Sequence, residues 1–294
     1  MSPAARPDAR QRSPLLRWWR RLGTSAGWAA TGLAFLALAA AMLWILQVVV
    51  VRGAGALTPS IFTGVTQGNG GGLLNAIEGT AVTSLGALLL AVPCGLAAGI
   101  YVAEYRHSGW AAVIRFLSDI LVGVPSIVMG YAGYVMMVVG LGWHFSVAAA
   151  AITLAVIALP YICRTTELAL RQVSMRLREA GYALGGADAA VILRIALPSA
   201  LPGVLTGILL ALSISVGETA PLLYTAGWSD YLWNGQLTNA PIGYLTYAIW
   251  TFINEPSVQA NRLAYAAALL VTGIVLVINI AARLVLRGAQ PARV

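Results

Sequence analysis

Apolar residues in this chain come in long unbroken runs. They do not follow the alternation of a half-buried strand or the one-sided stripe of an amphipathic helix. A helix crossing about 30 Å of hydrocarbon at about 1.5 Å per residue needs about 20 residues. Six runs reach that length: residues 27–51, 73–102, 115–140, 144–163, 199–224 and 263–286. The gaps are polar or rich in Gly and Pro, and the tightest, Gly140–Trp143, predicts that spans three and four turn back on each other. The first run is too long for the core of a signal peptide and is read as a retained span. Six spans make an all-α membrane protein with both termini on one side.

The polar gaps set the organisation. Residues 1–26 form a basic N-terminal tail, 27–72 the first transmembrane helix with its external loop, 73–286 the main transmembrane domain and 287–294 a C-terminal tail. Within the tail, Leu15–Arg21 mixes Leu and Trp with Arg and reads equally as an interfacial helix or a flexible basic segment. The outer segment 226–261 carries Trp228, Tyr231, Trp233, Tyr244, Tyr247 and Trp250, an aromatic belt or a docking surface. Within it, Tyr244–Phe252 predicts a short interfacial helix. The loop 164–198 is the most polar stretch after the tail.

Composition agrees with lipid as the main solvent. Hydrophobic residues make up 59% of the 294 and charged residues 10%, against about 45–50% and about 25% in soluble domains. All 18 basic residues are Arg. Without Lys the chain can form neither a Walker A loop nor a Schiff base, so any ATP-driven work belongs to another chain. Sixteen of the arginines fall on one side of the six spans, and only Arg52 and Arg262 on the other. That asymmetry predicts cytoplasmic termini and explains the basic excess without nucleic acid. Cys94 and Cys163 lie in apolar runs and predict neither a disulfide nor a metal site.

In the cytoplasmic loop, Met175–Gly185 has apolar residues at helical spacing, and Gly185–Gly186 is a stop signal. A second short helix, 189–197, is expected to end at Pro198, with Pro202 in the first turn of span five. Glu179-Ala180-Gly181, then Gly185, then nine residues, then Ile195-Ala196-Leu197-Pro198 resembles the EAA loop of ABC-importer permeases. Gly181 replaces the second Ala of the family pattern. The resemblance implies a type I ABC importer permease bundle whose cytoplasmic coupling helix docks in a groove of an ATPase subunit. It implies Arg178, Glu179, Ala180, Gly181, Leu184 and Gly185 as ATPase-coupling residues.

Further motifs narrow the resemblance. Gly71–Thr80, Ala103-Glu104-Tyr105, Gly123-Val124-Pro125-Ser126, Arg164-Thr165-Thr166-Glu167 and Gly217-Glu218-Thr219-Ala220-Pro221 are similar, in order, to PstA-type permeases of phosphate-specific ABC importers. Such permeases pair with a second, PstC-type permease, two ATPase subunits that bind ATP and Mg, and an extracytoplasmic phosphate-binding protein. The resemblance implies no catalytic residue, cofactor or metal on this chain, and a place in the cytoplasmic membrane of a prokaryote. It also implies a translocation or gating role for Arg164, Glu167, Pro125, Ser126, Glu218 and Thr219.

The polar residues within spans have their own physical reading. A carboxylate at a helix centre costs about 2.5–3.5 kcal/mol on insertion scales, so Glu218 should face protein or water. Ionised, it repels an anion; pairing with an Arg of the partner permease, or donating while protonated, suits it better. Arg164 and Glu167 are placed for a local ion pair. Pro125 should bend or break span three. The family Arg four residues before the Glu is Ile214 here, and Ser213 and Ser215 offer hydroxyl donors instead. A permease for molybdate, sulfate or phosphonate is therefore an alternative, followed by an ion-coupled carrier and a membrane enzyme.

Overall fold

A computed structural model describes residues 14–288, with side chains from 23 to 286. The chain divides into an amino-terminal unit ending at Val51 and a second unit from Arg52 onward. The first unit is the body of helix α1 (Pro14–Ala56), so the backbone of the basic segment 15–21 is continuous with the first span. The remainder of the basic tail and the end of the C-terminal tail lie outside the described residues.

In the second unit, α2 (Pro59–Thr63) and a hairpin of β1 (Thr66–Gln67) with β2 (Gly70–Gly71) fill the loop after α1. The amide of Asn75 donates to the Ser229 carbonyl at 2.8 Å, and its oxygen accepts from the Thr66 amide at 3.0 Å, so one buried side chain joins both loop segments. Helix α3 (Leu74–Glu104) is span two. Span three is α4 (Gly109–Gly123) and α5 (Ser126–Gly133), the latter continued by a π-helical turn, Tyr134–Gly140. Span four is α6 (Val147–Arg171). Next come α7 (Met175–Ala183) and α8 (Asp188–Val191), which passes through a π-helical turn, Ile192–Ala196, into α9 (Leu197–Gly217). The described residues close with α10 (Ala220–Thr225), the short helix α11 (Leu245–Phe252) and the last span, α12 (Val258–Gly288).

Among the described residues, five helices are long and apolar enough to cross a membrane, or six if the bent pair of span three counts as one. Helix α6 is the hub, with two-thirds of its apolar window buried, packed between α3, α9 and α4. Ala87, Ala91, Ala150, Leu154 and Ala158 form the centre of the core. Small residues let the backbones approach closely where lipid gives no hydrophobic drive between helices. A Cβ on Gly95 would lie 2.8 Å from Ile162 Cβ, and one on Gly99 2.6 Å from Thr166 Cβ.

Three boundaries differ from the sequence expectation. Span four runs on to Arg171, so Arg164 and Glu167 lie within α6, as their helical spacing predicted, and the loop starts later than residue 164. Pro198 does not end a helix, because the π turn just before it releases the backbone bond that a proline cannot make. Span five stops at Gly217, leaving Glu218 in extended backbone and α10 as a separate short helix.

Candidate functional site

The Glu179–Pro198 motif is built on α7. Its stop is a reciprocal pair of bonds: the Gly186 amide donates to the Gly181 carbonyl at 3.1 Å and the Gly185 amide to the Tyr182 carbonyl at 2.9 Å. Gly185 takes φ +80°, a left-handed turn that favours glycine. Met175, Glu179, Ala180 and Leu184 are exposed, Leu184 at 90%. The opposite face holds the buried Gly181, where a Cβ would lie 2.6 Å from Ile195 Cδ1 and 3.2 Å from Val191 Cγ2. The two ends of the twenty-residue motif therefore pack on each other. Its fixed spacing follows, because the Gly181 turn must meet Ile195 across the intervening bend. Arg178 also faces inward, where its Nη1 donates to both carboxylate oxygens of Glu104, at 2.8 and 2.7 Å.

A turn above lies an ionic cluster. The buried Glu167 carboxylate accepts from Arg115 Nε at 2.9 Å, Arg164 Nη1 at 3.2 Å and Arg171 Nη2 at 2.6 Å. Arg164 also pairs with Asp119, and Arg115 Nη2 donates to the Val102 carbonyl at 3.0 Å. One carboxylate thus ties α6 to α4, and Arg115 extends the tie to α3.

The third part is a pair of helix breaks packed together. Pro125 restricts Val124 to extended backbone (ψ 128°), and α4 and α5 meet at 100°. The second break is Glu218-Thr219, after which Pro221 sits in the first turn of α10, where a missing amide costs nothing. Gly130 of α5 lies directly against Pro221 of α10, with no room for a Cβ. Ser126 is the polar neighbour of the Glu218 carboxylate, and Thr246 Oγ1 of α11 donates to the Glu218 carbonyl at 2.8 Å. Beside the breaks, Ile127, Thr219, Leu223, Tyr224, Thr246 and Trp250 line a cleft of about 600 Å³. Irregular backbone at membrane depth is stable only where protein or water covers it, and here α5, α10 and α11 pack about the breaks.

Residues 95–291 match the family described as the binding-protein-dependent transport system inner membrane component. The chain belongs to that family. It is a multi-pass inner-membrane transport subunit and not itself an enzyme. Relatives named phosphate transport system permease protein PstA 2, from Mycobacterium bovis and Mycobacterium tuberculosis, are each 43% identical over 283 residues, 96% of this chain and 93% of theirs. A Yersinia pestis PstA is 40% identical over 248 residues, 83% of each chain. The fold is that of type I ABC importer permeases. The MetNI methionine ABC transporter in inward-facing form superposes with a TM-score of 0.58 at 20% identity, covering 74% of this chain and 94% of that one. An amino acid ABC transporter gives 0.51 at 17%, covering 73% and 94%.

Several of the permease's expected site residues meet and others do not. Ser126 and Glu218, far apart in sequence, are brought together, with Thr219 beside them on the cleft. Arg164 and Glu167 pair, but about a separate centre. Ser213 and Ser215 are buried, and Ser213 accepts from Asn279 of α12 at 3.3 Å. That hydroxyl joins α9 to α12. Sequence reasoning missed Glu104, Arg115, Asp119, Arg171 and Thr246 as site residues. Glu104 carried a usable signal: a carboxylate at a helix C-terminus opposes the macrodipole and calls for a cation. Arg115 had been counted only toward topology.

Proposed function

We propose that this permease carries inorganic phosphate inward across the cytoplasmic membrane as one half of an ATP-driven importer. The observation that carries the reading is the 43% identity, over nearly the full length of both chains, to permeases named for phosphate transport. The other half is a homologous PstC-type permease. Two ATPase subunits hold ATP and Mg, whose hydrolysis supplies the free energy. A binding protein delivers phosphate from outside, and the arginine asymmetry supports cytoplasmic termini.

Within this reading the exposed face of α7, with Met175, Glu179, Ala180 and Leu184, enters the ATPase groove. Nucleotide-driven closure displaces α7, and α9 follows through the Gly181–Ile195 contact. The breaks at Pro125 and Glu218 are where spans three and five change direction. Each orientation is favoured by what binds on its own side, as any two-state mechanism requires. Glu218 shapes the break with Ser126 and Thr246 and does not ligate the anion.

A permease for another oxyanion is favoured by one observation, the half-buried apolar Ile214 where PstA-type chains carry Arg. Uptake of labelled phosphate in cells lacking this chain, with sulfate and molybdate competing, separates the two. Phosphate uptake should fall and return with the gene, and loss of molybdate or sulfate uptake alone would rule phosphate out. In the same cells Glu179→Arg should leave the protein in the membrane and abolish uptake; normal uptake would remove the docking role of α7.

A further inference from the structure

We infer that Arg178 is the joint through which the coupling helix moves spans two and four, a positioning residue distinct from the docking face. Its guanidinium makes three charged hydrogen bonds at once: two from Nη1 to the Glu104 carboxylate, at 2.8 and 2.7 Å, and one from Nη2 to the Leu170 carbonyl at 3.0 Å. Both charged side chains are largely buried, 12% exposed for Arg178 and 14% for Glu104. Glu104 is the last residue of α3 and Leu170 lies in the last turn of α6. Each end favours a cation. The carboxylate at the α3 terminus adds to the negative end of the helix dipole, and the α6 terminus leaves carbonyls without intrahelical partners. One guanidinium answers both, and its planar fork does so in a fixed orientation.

The placement explains the mechanics. Helix α7 packs its Gly181 face against Val191 and Ile195, a link that leads only to α9. Helix α7 meets α8 and the π turn more extensively than it meets α3 or α6. Arg178 supplies that second link. From there Glu167, three residues before Leu170, passes the tie to α4 through Arg115. A displacement of α7 therefore reaches α9 by apolar contact and spans two, three and four by charge. Neither link alone would move the bundle as one piece.

The inference rests on the docking of α7 against the ATPase, and the experiment separates the two. The full complex is purified and reconstituted with wild-type permease, Arg178→Gln, Glu104→Gln and the exchanged pair Arg178→Glu with Glu104→Arg. Retention of the ATPase subunits is read on purification, and phosphate delivered per ATP hydrolysed is read in vesicles. In either single variant the ATPase should stay bound while phosphate per ATP falls about tenfold or more, as expected for losing a charged pair. The exchanged pair should recover part of the loss, since it does not restore the bond from residue 178 to the Leu170 carbonyl, which keeps only the Val173 amide. An unchanged ratio in both single variants overturns the inference. Loss of the ATPase from those variants also overturns it, by making Arg178 part of the docking face. If neither wild type nor variant retains the ATPase, the docking reading itself falls.

Discussion

Replacing Gly181 tests whether the two ends of the cytoplasmic motif are held by packing. A Cβ there would lie 2.6 Å from Ile195 Cδ1 and 3.2 Å from Val191 Cγ2. Alanine, the residue of the family pattern, asks only that a terminal methyl turn aside. That costs about 0.5–1.5 kcal/mol for an off-rotamer side chain. Against it, Ala is favoured over Gly inside a helix by about 0.8–1 kcal/mol, so Gly181→Ala should be close to neutral. Leucine adds three more carbons where Val191 and Ile195 already stand, and overpacking costs about 1–3 kcal/mol. If that strain is relieved by lifting α7 off α8, the seated position becomes about five- to 150-fold rarer. The bonds from Arg178 to Glu104 would lengthen with it. The assay is ATP-driven phosphate uptake by reconstituted vesicles, alongside retention of the ATPase on purification. Gly181→Ala should match wild type, while Gly181→Leu should lose most uptake. Wild-type uptake by Gly181→Leu would refute the packing argument, as would a severe defect in Gly181→Ala.

Two further substitutions probe the ionic cluster and the break. Glu167→Gln removes the charge that three arginines share; with those arginines 24–45% exposed and screened by water, the loss should be about 1–2 kcal/mol. It should appear as a lower thermal midpoint of the purified protein, and an unchanged midpoint would contradict the organising role of Glu167. Thr246→Val removes the hydroxyl donated to the Glu218 carbonyl, worth about 1 kcal/mol. Uptake should fall with the ATPase still bound, whereas undiminished uptake would show that the break holds its shape without that bond.

The spans were legible because lipid demands an unbroken apolar run, a requirement local enough to read from one segment at a time. The break at Pro125 was legible for the same reason, since a missing amide acts on its own neighbours. Its 100° angle was not, because that depends on Gly130 seating against Pro221, residues from different spans. The pairing of Arg164 with Glu167 could be read from helical spacing, but Arg115 lies 52 residues away and enters the cluster only through the fold. Pro198 misled for a physical reason: proline ends an α-helix, but a preceding π turn absorbs it. The partner of the Ser213 hydroxyl was not legible, since Asn279 lies 66 residues away and meets it only through the fold. The Glu179–Pro198 motif was readable in the sequence, while the contact that joins its two ends, Gly181 on Ile195, needed three dimensions.

The wide turn at Ile192–Ala196 has a consequence for how this permease tolerates change. A π turn holds one residue more than the α-helical turn it replaces, and each residue rotates an α-helix by about 100°. Removing a single residue there would let the segment relax to regular winding. Ile195 and the faces of α9 that meet Thr165, Ala169 and Asn279 would then no longer match in azimuth. The stretch therefore sets the rotational phase between α7 and α9. Its length should prove less forgiving than the identity of its side chains.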